Sequence, residues 1–400
     1  MLDLERLRRD TPGCLERVFL DSAGSSLPPQ PVLATVIGHL RREAEVGGYV
    51  AAAERADDLA AVRSSLAELI GAQPQDIALM DSATRAWSEF VAAVRFAPGD
   101  RILISQVEYA SNAITALHRA RATGATVEAV PSDPSGRIDV EALERMLDDR
   151  VRLVSLVHVP TNGGLINPVR EVVELAHRHG ALVLLDACQS VGQVPIDVGG
   201  LGVDALSATG RKWLRGPRGT GFLYVRGELA GSLDPTALDL HGAEWTGPDA
   251  YRPAPDAQRF ELWECDVAAR LGLGAAADYL LGIGIDYAAN AVADRAERMR
   301  GGLGDLEGVT VRDLGTDRCG IVTFTVDGVD PTSVREQLAR NAVTVTVSGR
   351  SSTLLDMSAR GLDAVVRASA HYFVSDSDID RFLAAVARLE VNLSSHPTLR

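Results

Sequence analysis

The sequence predicts an α/β fold: a large domain on a mostly parallel sheet, followed by a smaller α+β C-terminal domain. Three observations lead there. Between about residues 30 and 230, compact Val/Ile/Leu-rich runs alternate with segments of helical period, the pattern of a parallel sheet covered by helices. Several of those runs are apolar at every position, as strands buried on both faces are. After residue 258 the order changes to helices, then strands mixed with helices. A chain of 400 residues also exceeds what one simple core holds.

Taken in order, residues 31–46 (PVLATVIGHLRREAEV) and 55–72 (RADDLAAVRSSLAELIGA) place apolar side chains at helical spacing. DIALM (76–80) reads as a short strand running into the helix TRAWSEFVAAVRF (84–96). RILISQ, VRLVSLVHV, ALVLLDA, ALSAT and GFLYV read as further strands, with helices such as VREVVELAHRHG between them. Residues 236–258 are rich in Pro, Gly and Asp and read as a long loop, a length usually kept for function. Helices (267–284 and 290–306), strands (309–315 and 320–328), a helix (331–341), strands (343–348 and 365–373) and an amphipathic helix (376–390) complete the chain. The expected division is a large domain of 17–258 and a small domain of 1–16 with 259–400.

Composition narrows the function classes. Lys+Arg is 40 and Asp+Glu is 54, a net charge of −14. That disfavours nucleic acid or an anionic membrane as a partner, since either needs a basic patch and none is visible. Cys14, Cys188, Cys265 and Cys319 are far apart, so neither a disulfide framework nor a zinc ribbon is expected. The opening MLDLERLRRD lacks the apolar core of a signal peptide. No run approaches the ~18–20 apolar residues that span a bilayer. A cytoplasmic enzyme of small molecules is the expectation.

Ligands of open α/β sheets bind beyond the carboxyl ends of the strands. Four polar groups fall there: Asp81-Ser82-Ala83-Thr84, Glu108-Tyr109-Ala110-Ser111-Asn112, Asp186-Ala187-Cys188-Gln189 and Gly210-Arg211-Lys212. The first is an anion cradle or a plain helix cap. Asp186 follows five apolar residues, where a carboxylate is costly without a cationic partner, unless the strand end is open to water. Lys212 is a buried amine or a surface lysine. One cofactor would use all four groups together. Pyridoxal 5'-phosphate needs a lysine for a Schiff base, an acid facing its ring nitrogen, an aromatic face and an anion cradle.

The motifs VFLDSAGSSLPP, SATRAW, EYASN, HVPTNGGLINP, LLDACQS, SATGRKWLRGPRGTGFLYV, RFELWE and VRASAHYFVSDSDIDRF run along almost the whole chain. Together they resemble the class V aminotransferases, fold-type I pyridoxal-phosphate enzymes that include cysteine desulfurases, cystine C–S lyases and isopenicillin N epimerase-like proteins. The resemblance implies a fold-type I architecture with a seven-stranded-type sheet, and a homodimer with sites near its interface. It makes Lys212 the Schiff-base lysine and the base for the α-proton. Asp186 is the partner of the ring nitrogen, Gln189 of the ring hydroxyl oxygen, and Tyr109 stacks on the ring. Ser82, Ala83, Thr84, Thr209 and Arg211 hold the phosphate; desulfurases carry histidine at the Arg211 position. Arg367 grips the substrate carboxylate, and Thr161 and Asn162 contact the ring hydroxyl or the substrate. Trp263 and Glu264 stand where many relatives have the Gly-Thr that reaches the neighbouring subunit's phosphate, so Trp263 is assigned to the substrate channel.

Desulfurases need a mobile cysteine nucleophile just before the carboxylate-binding arginine. The matching stretch, VSGRSSTLLDMSARGLDAVVRAS (347–369), has none. With EAEVGGYVAAAE and STLLDMSARGL, the chain most resembles the branch containing the ergothioneine-biosynthetic C–S lyase. The reaction implied is β-elimination from a cysteine S-conjugate or its sulfoxide, with pyruvate and ammonia as final products. Two alternatives stay open: an epimerase, racemase or aminotransferase acting on an amino acid, and a non-catalytic scaffold that binds a partner. No metal site is expected; His177 and His179 are two apart on a helix and face different ways.

Overall fold

The computed structural model describes residues 3–389. Seven strands form one sheet in the order Ile77–Met80, Gly221–Val225, Ala205–Thr209, Leu182–Asp186, Val151–Val157, Arg101–Ser105, Thr126–Val130. Gly221–Val225 runs antiparallel to both neighbours; the other pairs are parallel. The five inner strands are buried along nearly their whole length, and so is the apolar edge strand Ile77–Met80. Thr126–Val130 carries no continuous apolar run and was not legible as a strand. It lies at the sheet's edge with only Val130 buried, where pairing on one side and exposure on the other leave polar residues in place.

Register brings the carboxyl ends of the parallel strands to one rim. Val157 pairs with Asp186 and Asp186 with Ser207. Thr209 and Met80 both face Gly221. The loops that leave this rim carry the polar groups picked out by the sequence.

Val267–Ile283 packs on the helices Gln30–Val46 and Ala56–Ile70. The approach is close because Gly274 faces Val62: a Cβ there would lie 2.8 Å from Val62 Cγ2. A second, antiparallel sheet orders Val309–Val311, Ile321–Val326, Ala364–Ser369 and Thr346–Gly349. The helices Ile285–Gly304, Pro331–Arg340 and Asp376–Val386 pack on it or on one another. Asp376–Val386 starts from a capping box of Ser375 and Asp378, the arrangement that satisfies two of a helix's free N–H groups. Contacts cross the expected division of the chain. Val18–Phe19 pairs in parallel with Val343–Thr344, and Asp21 bridges to Ser369. Among the described residues no single helix is long and apolar enough to cross a membrane.

Residues 236–258 are not all loop. They contain the hairpin Ala243–Gly247 and Ala250–Pro253, whose exposed strands carry no apolar alternation to read. Just before the hairpin, His241 lies 3.3 Å from the buried Glu261, which also meets Arg63 at 2.7 Å and Arg270 at 3.1 Å and accepts from Leu79 N at 2.9 Å. Without those cations a carboxylate buried there would be costly.

Candidate active site

Lys212 stands three residues past the strand Ala205–Thr209. It is the only lysine in the chain; every other Lys/Arg position is arginine. A tight turn follows it. Arg215 N donates to Lys212 O at 3.0 Å and Gly216 N to Gly210 O at 2.8 Å. Arg215 holds a φ of 64°, an uncommon backbone state for a residue with a Cβ. Its buried side chain fixes that state. The guanidinium donates to Leu27 O at 2.8 Å and Tyr372 Oη at 3.0 Å, and also to Thr11. It lies 4.5 Å from the centroid of the Phe373 ring, a favourable cation–π distance. The next peptide is held from the other side. His371 accepts from Tyr372 N at Nδ1, so its Nε2–H donates to Trp213 O at 3.0 Å. The Trp213 indole donates to Gln189 Oε1 at 2.9 Å.

The Lys212 amine makes no hydrogen bond or ion pair among the described residues. Burial pushes its pKa down, Cys188 and Asp186 oppose the shift, and Arg211 and Arg367 add to it. The neutral, nucleophilic form is thereby favoured.

Asp186 ends its strand, buried, with both carboxylate oxygens engaged. Asn112 Nδ2 donates to Oδ2 at 2.8 Å and Cys188 N to Oδ1 at 2.9 Å. The Cys188 thiol is pushed well above its ordinary pKa by burial first and by Asp186 second. It is a thiol rather than a thiolate at neutral pH, and thiols are poor nucleophiles.

Arg367 rises from the strand Ala364–Ser369 into the same space, buried. Nη1 donates to Thr161 Oγ1 at 2.7 Å and Nη2 to Asp21 Oδ1 at 3.4 Å. Among the described residues its Nε is buried with no partner, an orphan donor that a bound carboxylate would satisfy. Thr161 links this arginine to Gln189, whose Nε2 lies 3.3 Å from Thr161 Oγ1. Tyr109 caps the helix Ala110–Thr123, exposed.

At the other end of the rim, Ser82 caps the helix Ala83–Ala93, accepting from Arg85 N at 3.1 Å. Gly221 lies between this helix start and the Lys212 turn. A Cβ there would sit 2.7 Å from Ala208 O and 2.9 Å from Ala83 N, so glycine lets the sheet pass directly against the start of the helix. Helix N-termini of this kind can cradle an anion. Arg211 reaches back to Gly24 O, and its own carbonyl accepts from Ser26 N at 2.9 Å.

Two predicted residues are engaged elsewhere. Asn162 is buried against the C-terminal part of the chain, donating to Thr353 Oγ1 at 2.8 Å and accepting from Ser348. Trp263 is half exposed, its backbone N–H donating to Asp239 Oδ2 and its ring edge-on to Tyr49 at 5.8 Å. Other residues that shape the site had no assigned role. Glu108 and Asn112 flank Tyr109 at a separation of four, one helical turn. Asp21 ends the apolar run VFL. Arg215 and His371 left no sequence signal, because their partners lie far along the chain.

This donor set fits pyridoxal 5'-phosphate: an amine biased to neutrality, a buried carboxylate on the rim, an exposed aromatic ring, a helix start beside a threonine, and an arginine with a donor to spare. A family model for "Aminotransferase class-V" matches residues 18–382. A relative described as "Probable cysteine desulfurase" from Methanothermobacter thermautotrophicus is 29% identical over 94% of this chain and 95% of its own. The cysteine desulfurase CsdA from Escherichia coli superposes with a TM-score of 0.90 over 97% of this chain and 98% of its own, at 24% identity, a likeness of fold. The cystine C–S lyase C-DES, solved with cysteine persulfide, gives a TM-score of 0.86 over 94% of this chain and 99% of its own, at 25% identity. The chain belongs to the class V aminotransferase family and is a fold-type I enzyme that uses pyridoxal 5'-phosphate.

Proposed function

We propose that the protein is a β-eliminating C–S lyase acting on a cysteine S-conjugate or its sulfoxide, of the ergothioneine type, releasing pyruvate and ammonia. When bound, pyridoxal 5'-phosphate supplies the electron sink for the pair left at the substrate α-carbon. The chain's residues do the rest. Arg367 holds the α-carboxylate through a planar, two-pronged contact. The Lys212 amine, held short of its usual basicity, takes the α-proton. Asp186 would face the ring nitrogen, and Tyr109 would lie against the ring. The sulfur then leaves with its bonding electrons, with no need for a thiol on the enzyme.

One observation carries the choice of lyase over desulfurase. The segment joining Thr346–Gly349 to Ala364–Ser369 has no cysteine, and it is folded down: it contains the helix Leu354–Ala359, and Asn162 anchors it through Thr353 and Met357. The relatives named as desulfurases and the C–S lyase C-DES support cleavage at sulfur as the shared chemistry. A cytoplasmic homodimer belongs to the same reading. The exposed Tyr49, Leu240, Trp245 and Tyr251 offer apolar surface that a second copy would cover.

The test is pyruvate release over a panel of cysteine S-conjugates and their sulfoxides. Cys188→Ser is expected to release pyruvate at the wild-type rate. Loss of turnover in that variant, with persulfide forming on the wild type, would make Cys188 a desulfurase nucleophile. Racemised or transaminated substrate without pyruvate would favour the epimerase or aminotransferase instead. Arg367→Ala is expected to raise KM about tenfold or more, the worth of a hydrogen bond to a charged group. Its activity on an analogue lacking the carboxylate should match that of the wild type.

A further inference from the structure

A buried carboxyl that the chemistry above does not use lies directly behind the site. Glu108 is 3% exposed. Its Oε1 accepts from Asn112 Nδ2 at 2.9 Å and from Tyr109 N at 3.0 Å, and its Oε2 meets Ser155 Oγ at 2.8 Å. The same Asn112 nitrogen donates to Asp186 Oδ2 at 2.8 Å. One amide therefore spends both its hydrogens on two buried carboxyls. Three neighbouring strand ends converge on Glu108: its own, that of Ser155, and through Asn112 that of Asp186.

We infer that Glu108 and Asn112 are positioning residues that set the orientation of Asp186 and of Tyr109 together, so that the groups in the plane of the cofactor ring and over its face are placed by one hydrogen-bonded unit. Glu108 is buried behind Tyr109 and Asp186 and acts through them. It holds Tyr109 by its own peptide N–H and Asp186 through Asn112. Asp186 is the charged group set against Glu108, and burial with that charge raises the Glu108 pKa to about 8. Burial thereby favours the protonated carboxyl; with the proton on Oε2 the Ser155 hydroxyl, which donates to Oε2 of the carboxylate, would turn to accept it, and Oε1 would stay an acceptor for Asn112 and Tyr109. A glutamine would reproduce that pattern, with its amide in place of the protonated oxygen; a leucine would not.

The inference rests on the cofactor alone and is independent of which substrate is cleaved. Asn112→Ala, Glu108→Leu and Glu108→Gln should be loaded with pyridoxal 5'-phosphate and compared by cofactor Kd, visible circular dichroism, kcat and KM. Asn112→Ala and Glu108→Leu are expected to weaken cofactor binding, alter the visible dichroism band and lower kcat about tenfold or more, with KM within about threefold, as losing outer partners of a site's ligands does. Glu108→Gln should recover most of what Glu108→Leu loses. In an Asp186→Asn background Asn112→Ala should change Kd and dichroism little further, because residues acting through one another are non-additive. A wild-type dichroism band and kcat in Asn112→Ala would overturn the inference, as would a fully additive loss in the Asp186→Asn background. If Asn112→Ala does not fold, the Glu108 pair decides, and equal losses for Leu and Gln overturn it. A wild-type chain that binds no pyridoxal 5'-phosphate would remove the cofactor itself, a result distinct from all of these.

Discussion

Lys212→Ala is expected to lower turnover by about 10,000-fold, the upper end of what a positioned acid–base group contributes. The visible band of the loaded enzyme should shift as well, because no second side chain can form the covalent link. Lys212 is the only lysine in the chain. Borohydride treatment of the loaded wild type should therefore fix cofactor to one internal peptide. In most proteins that experiment has many competing side-chain amines; here Lys212 carries the only one. Full turnover in the variant, or label confined to the N-terminus, would remove Lys212 from the mechanism. Exogenous amines supply a further check. A small primary amine that restores part of the rate to the alanine variant would show that the missing function is a base.

Asp186→Asn is expected to keep the cofactor and lose about 100- to 1,000-fold in kcat, the range seen when one preorganised electrostatic partner is removed. The substitution preserves shape, and Cys188 N can still donate to the remaining carbonyl oxygen. Asn112 then faces a second amide and must turn or lose its bond. The variant removes the charge that favours a protonated ring nitrogen, so the pH dependence of the visible spectrum should move along with kcat. A variant with wild-type kcat would mean that the carboxylate serves only as a structural strand end.

Much of this site was readable because its pieces are local. DIALM running into Ser-Ala-Thr, ALVLL running into Asp, and ALSAT running into Gly-Arg-Lys each put a polar group straight after a buried strand. Parallel topology then brings such ends to one rim. What stayed out of reach is long-range. Arg215 reads as another basic residue in a glycine-rich turn, yet it is buried against residues 11, 27 and 372. Glu108 is only one of the polar residues after a strand end in the sequence, with nothing local to show that it is buried. Asn162 reads as facing the site, and its amide is spent instead on Ser348 and Thr353. Residues 243–253 read as loop because an exposed hairpin needs no apolar alternation. For Arg215, Glu108 and Asn162, a partner lies on an element that local pattern does not bring near.

The stitching at Arg215 and His371 bears on when the enzyme becomes competent during synthesis. The catalytic amine is encoded just past the middle of the chain, but the contacts that lock its turn come from Thr11 and Leu27 upstream and from His371 and Tyr372 near the far end. A ribosome-bound chain of some three hundred residues can hold the finished large sheet and still lack a fixed seat for the coenzyme. Completion of that seat thereby waits on the packing of Thr11, Leu27, His371 and Tyr372 around the turn.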